Sequence, residues 1–129
     1  MEKNAITNQQ TESMLSYNDF RNEVLKDYGI ILESREASLL GRREVLTGKA
    51  KFGIFGDGKE LAQVAMAKFF KPGDWRSGYY RDQTFIFASG IATVQQFFAQ
   101  LYADPDTTNE PFSSGRQMSS HFVIGVHDC

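Results

Sequence analysis

From Asn18 onward apolar side chains recur at helical spacing, with Phe20, Val24, Leu25 and Tyr28 sharing a face. Asn18 or Asp19 is placed to cap the helix they predict, and Gly29 is expected to break it. A second helix is expected over 33–46, ended by Gly48. Leu25, Leu32, Leu39 and Leu46 fall seven apart, as in a leucine zipper. The positions four residues after the first three are Gly29, Glu36 and Arg43, which do not suit an apolar seam, so a pair of core-facing helices is favoured over a coiled coil. Residues 59–70 predict a helix with a wide apolar face of Leu61, Val64, Ala65 and Phe69. Lys71-Pro72-Gly73-Asp74 stops it, because proline disfavours helix in the residue before it and glycine suits a turn. A short connection leads to an apolar segment at 84–88. Beyond Gly90, Thr93 is placed to cap a helix in which Val94, Phe97, Phe98, Leu101 and Tyr102 fill the i, i+3, i+4, i+7, i+8 template. Asp104-Pro105-Asp106 then opens a polar loop running through Gly115. The pattern predicts a mainly α chain, with little strand signal and no internal repeat.

Composition narrows the choices. The 129 residues suffice for one domain with a core and are too few for two. Eleven Phe and five Tyr against one Trp, mostly between 52 and 102, place the expected core in that stretch. A net charge of −2 argues against a surface built for nucleic acid or an anionic membrane. No apolar run is long enough to span a bilayer. Residues 1–16 are polar and unpatterned, and are expected to be a disordered lead-in. The opening MEKNAITNQQTES lacks the pattern of a secretion signal, so a cytoplasmic location is expected. Cys129 is the single cysteine, which excludes an internal disulfide. His121, His127 and Cys129 match no standard zinc spacing, and no metal site is expected from them.

The stretch FGIFGDGKELAQVAMAKFF, residues 52–70, offers three kinds of phosphate or cofactor chemistry. Gly53 to Lys59 fits G-x-x-x-x-G-K, but Glu60 stands where Ser or Thr should meet magnesium, Asp57 adds a second carboxylate, and Lys49-Ala-Lys51 replaces the buried strand a P-loop needs. The dinucleotide fingerprint G-x-G-x-x-G is absent, since Gly53, Gly56 and Gly58 have the reverse spacing. Gly56-Asp57-Gly58 spells the opening of a thiamine diphosphate motif, yet no Asn-Asn pair follows to complete the metal coordination. A structural reading remains: glycines for a tight entry, Asp57 as helix cap, and Glu60 complementing the positive helix end.

The surrounding pattern is more informative. Gly58-Lys59-Glu60-Leu61 opens an apolar helix, Pro72-Gly73-Asp74 ends it, and Gly78-Tyr79-Tyr80-Arg81-Asp82-Gln83 follows. Gly115-Arg-Gln-Met-Ser-Ser-His121 comes later. In this order the motifs resemble the N-terminal part of the alpha subunit, or alpha half, of thiamine-diphosphate-dependent 2-oxoacid dehydrogenase E1 components. They are most similar to the branched-chain, 2-oxoisovalerate type, over about residues 20–122. The turn there reads Gly-Gln-Glu-Ala or Gly-Glu-Glu-Ala.

The resemblance implies the N-terminal helical part of an α/β thiamine-diphosphate-binding fold, spanning 17–122. For Arg81 it implies contact with the cofactor diphosphate, and for Tyr80 contact with the phosphate or pyrimidine end. A guanidinium suits this role, with planar paired donors for phosphate oxygens. The plain alternative is that Arg81 pairs with Asp82 or Asp74 on the surface. His121 would line the route to the active site. The implied cofactors are thiamine diphosphate and Mg2+, and the implied reaction is oxidative decarboxylation of a 2-oxoacid with acyl transfer to a lipoyl carrier. The implied partners are an E1 beta subunit or half and a lipoyl-bearing acyltransferase; a homo-oligomer is expected separately, from apolar surface left exposed where the family's sheet would pack. Glu60 is not the glutamate that activates the cofactor, which the resemblance assigns to the beta partner.

The chain also departs from the family. The genuine metal-binding motif and its ligands do not follow, and residues 123–129 do not resemble the family's continuation. A truncated chain with no turnover by itself is therefore expected. The alternative is a small helical module for protein interaction or oligomerisation, without catalysis.

Overall fold

The computed structural model describes residues 15–117 and Phe122. Most of the expected lead-in, His121 and the 123–129 tail lie outside these residues. The described residues form four helices and no strand: α1, Tyr17–Leu46; α2, Glu60–Ala67; α3, Gln83–Ala88; and α4, Val94–Leu101. α3 packs on α1 and α2, and α4 packs on α1.

The two helices expected before residue 47 are one unbroken α1 of 30 residues. Gly29 does not break it. A glycine inside a helix costs only about 1 kcal/mol relative to alanine, which the flanking helix formers outweigh. The cap is neither Asn18 nor Asp19 but Ser16, whose Oγ accepts the Asp19 N–H at 3.2 Å. The inward face also differs from the expected one. Leu25, Leu32, Leu39 and Leu46 are all exposed, whereas Ser34, Ala37, Ser38, Gly41 and Glu44 are buried. Small residues let the neighbouring chain approach closely: a Cβ at Gly41 would overlap the Phe55 ring.

α2 is shorter than the expected 59–70, and of its expected apolar face only Val64 is buried. Its buried residues are Glu60, Gln63 and Val64, while Leu61 and Phe69 are largely exposed. α4 follows the sequence pattern closely. Thr93 Oγ1 accepts the Gln96 N–H at 3.2 Å, and Gln96 Oε1 accepts the Thr93 N–H at 2.9 Å, closing a capping box. The core cluster joins Phe85, Ile86, Ala92 and Phe97, from the aromatic-rich stretch, to Ala37 and Phe122. Phe97 is fully buried and meets Phe55, Phe87 and Phe98 edge-on.

Candidate anion-binding site

The loop between α1 and α2 meets the segment before α3, and both are fixed by buried amides. Gly56 is buried because the backbone of Arg81 lies against it: a Cβ at Gly56 would overlap the Arg81 carbonyl oxygen. The first glycine of the Gly-Asp-Gly run thus serves a close approach, one of the uses to which only glycine is suited. Gly56 N–H donates to Gln83 Oε1 at 3.4 Å. Gln83 Nε2 donates in turn to the Ser34 carbonyl at 3.0 Å and Ser38 Oγ at 2.7 Å, which ties this segment to α1. Gln63 on α2 donates through Nε2 to the Arg81 carbonyl at 2.9 Å and accepts the Phe85 N–H through Oε1 at 3.1 Å.

Asp57 does not cap α2, contrary to expectation. The N-cap is Lys59, without a side-chain hydrogen bond, and Asp57 instead accepts from the Arg42 guanidinium at 2.6 Å. Glu60 does act at this end of α2. Its carboxylate accepts from Gly58 N–H at 2.9 Å and from Arg35 Nε at 2.6 Å. The Arg35 hydrogen bond is the main cause of a Glu60 pKa held at about 2, against the opposing effect of burial.

These contacts surround an open cavity of about 400 Å³ lined by Arg42, Val45, Leu46, Gly53, Ile54, Phe55, Asp57, Lys59 and Arg81. Three cations and one carboxylate thus face it over an apolar floor. Arg81 pairs with neither Asp82 nor Asp74: Asp82 accepts from Arg76 and from the Tyr79 N–H, both at 2.9 Å, and Asp74 accepts the Lys71 N–H at 2.7 Å. Among the described residues Arg81 makes no ion pair, and its guanidinium carbon stands 5.3 Å from the Tyr80 ring centroid. Tyr80 adjoins the site without lining the cavity, and its hydroxyl accepts from that of Tyr79. That hydrogen bond is the main cause of a raised Tyr79 pKa.

Of the residues named from the sequence, the fold therefore brings Arg81 to the cavity with Tyr80 beside it, and His121 lies outside the described residues. Arg42, Lys59 and Gln63 were missed. Lys59 left a trace in the sequence, as a cation at the helix-opening turn. Arg42 and Gln63 left none, because their partners are 15 and 18 residues away along the chain.

A helical unit with a cationic, part-apolar cavity at a glycine-lined turn is the class that these residues define. Residues 36–125 match the model of the dehydrogenase E1 component family, and the chain belongs to that family. The family comprises E1 components of 2-oxoacid dehydrogenases, is in general thiamine-diphosphate-dependent, and generally works with a beta subunit and a lipoyl acyltransferase. The helical architecture agrees with the helical N-terminal part of its fold. No solved structure matches the chain.

Proposed function

We propose that this chain supplies the alpha-side cofactor contacts of an E1 component of the branched-chain, 2-oxoisovalerate type, with Arg81 on the diphosphate of thiamine diphosphate and the Tyr80 hydroxyl on its phosphate or pyrimidine end. The observation that carries this reading is Arg81, which lines an open cavity and has no carboxylate paired to it among the described residues. The donor set fits the group. Arg81 offers paired planar donors, Lys59 adds a second cation, and Arg42 is balanced by Asp57. Val45, Leu46, Ile54 and Phe55 supply an apolar wall beside these cations, which lowers the local dielectric on that side.

When bound, thiamine diphosphate supplies the carbanion chemistry of 2-oxoacid decarboxylation, while the protein binds and orients. By the family resemblance, Mg2+ accompanies the cofactor, the activating glutamate comes from the E1 beta partner, and the acyl group leaves on a lipoyl-bearing acyltransferase. The same resemblance implies that His121, outside the described residues, lines the route to the reacting centre.

Calorimetric titration of thiamine diphosphate with Mg2+ into the chain tests the reading. Arg81→Ala is expected to weaken binding about tenfold, the scale of a lost hydrogen bond to a charged group. Equal affinity in the two chains overturns the role of Arg81. Binding by neither leaves family membership standing and removes the claim that this chain holds the cofactor by itself.

One observation favours an assembly role beside this one. Leu25, Tyr28, Leu32 and Leu39 form an exposed apolar stripe on the side of α1 away from its buried face. Such a stripe marks a contact surface, and a second copy of the chain is its proposed occupant. Sedimentation should show a dimer or larger species that Leu32→Glu with Leu39→Glu converts to monomer. A monomeric parent chain at high concentration contradicts this.

A further inference from the structure

Arg81 has no ion pair among the described residues to aim its side chain, which stands over the Tyr80 ring and otherwise takes its direction from its backbone. That backbone is held unusually firmly. Gln63 is buried, 7% exposed, on the inner side of α2. Its single amide bridges the Arg81 carbonyl at 2.9 Å and the Phe85 N–H at 3.1 Å. The Phe85 N–H belongs to the first turn of α3, where helices leave N–H groups without an intrahelical acceptor. The N-cap of that helix, Asp82, provides no side-chain bond, so Gln63 caps α3 from another element. Gly56 also lies close against the same Arg81 carbonyl, where a Cβ would overlap it, and Gln83 anchors Gly56 to α1.

We propose that Gln63 is the positioning residue of this site. Its side-chain amide fixes the Arg81 peptide, and thereby the direction in which the guanidinium enters the cavity. The proposal rests on the diphosphate reading of Arg81 for its functional meaning, and on the Gln63 bridge alone for its structural one. An arginine side chain has many rotamers that binding must fix. A guanidinium on a loose backbone has more directions to lose on binding a phosphate.

Gln63→Glu discriminates. It is nearly isosteric and still accepts from the Phe85 N–H, but it turns a carboxylate oxygen toward the Arg81 carbonyl in place of a donor. Two measurements on the full chain are needed. In the ligand-free protein, the 15N signal of Arg81 Nε should shift and broaden in the variant, while the amides of α4 stay in place. In titrations with thiamine diphosphate and Mg2+, and separately with inorganic pyrophosphate, Gln63→Glu should weaken binding about fivefold. In the Arg81→Ala background the same change should cost less than twofold. Gln63→Asn, which is too short to span both groups, serves as a milder second variant if the first fails to fold.

Equal weakening in both backgrounds overturns the proposal, because Gln63 would then act without Arg81. An unchanged Arg81 Nε signal overturns it as well. An Arg81→Ala chain that binds like the parent, or a parent that binds neither ligand, sinks the diphosphate reading instead. The positioning claim is then decided by the ligand-free signal.

Discussion

Phe97→Ala is expected to destabilise the folded chain by about 3–5 kcal/mol, as truncation of a fully buried phenylalanine does elsewhere. Phe97 is fully buried at the centre of the core cluster, so no water can fill the space it leaves without meeting apolar walls. Three edge-on ring contacts go with it: Phe98 at 5.3 Å, Phe87 at 5.8 Å and Phe55 at 6.2 Å between centroids. Each such pair contributes roughly 0.5–1.5 kcal/mol beyond its buried area. Natural domains hold only about 5–15 kcal/mol in total, so this one change removes a large share. Thermal unfolding followed by circular dichroism should show the midpoint falling by roughly 10–20 °C. Leu61→Ala on the exposed side of α2 should change stability by about 0.5 kcal/mol or less. The change also reaches the site, because Phe55 both packs on Phe97 and lines the cavity. A cost below about 1 kcal/mol would contradict the central placement of Phe97.

α4 shows which kind of element the sequence makes legible. Its apolar template and its Thr93 cap are local signals that point one way; the structure keeps the cap and buries Phe97 and Leu101, while Tyr102 falls at the C-cap and is exposed. α1 and α2 were legible as helices but not as packed surfaces. Hydropathy favoured the leucines of α1, whereas the contacts are made by Ser34, Ala37, Ser38 and Gly41, whose small size lets α3 and the Phe55 ring come close. In α2 the inward positions went to Glu60 and Gln63, polar residues that look solvated in a helix pattern. Their burial becomes favourable only through backbone groups and an arginine supplied by distant segments.

The site divides in the same way. Tyr80 and Arg81 were found through a motif, because they lie side by side in the chain. The three cations share one cavity only because α1, the glycine turn and the segment before α3 converge there. Gly56 was read correctly as structural, but its use is contact with the Arg81 carbonyl. Asp57 was assigned to the wrong partner, since a guanidinium 15 residues back competes successfully with the helix end.

The second large effect is expected at Glu60, and it depends on pH. The Glu60 side chain is 5% exposed, and its carboxylate accepts from Arg35 and from Gly58 N–H. Its pKa is lowered from 4.5 to about 2, first by the Arg35 hydrogen bond and against the effect of burial. A fall of that size corresponds to about 3 kcal/mol of preference for the ionised form. Arg35 is 44% exposed, so solvent screening brings the expected contribution nearer 2 kcal/mol. Because the folded pKa lies below the unfolded one, the stabilisation is fully present above about pH 4.5 and is lost as the pH falls toward 2. Glu60→Gln keeps the shape and an oxygen acceptor but has no charge to lose. Unfolding free energies from urea titration should therefore separate parent and variant by about 2 kcal/mol at pH 7 and converge near pH 2. A difference that stays constant across this range would mean that the ionised carboxylate is not what stabilises the fold. Convergence would tie the anchoring of the α2 N-terminus, where Asp57 and Lys59 face the cavity, to the Arg35–Glu60 pair.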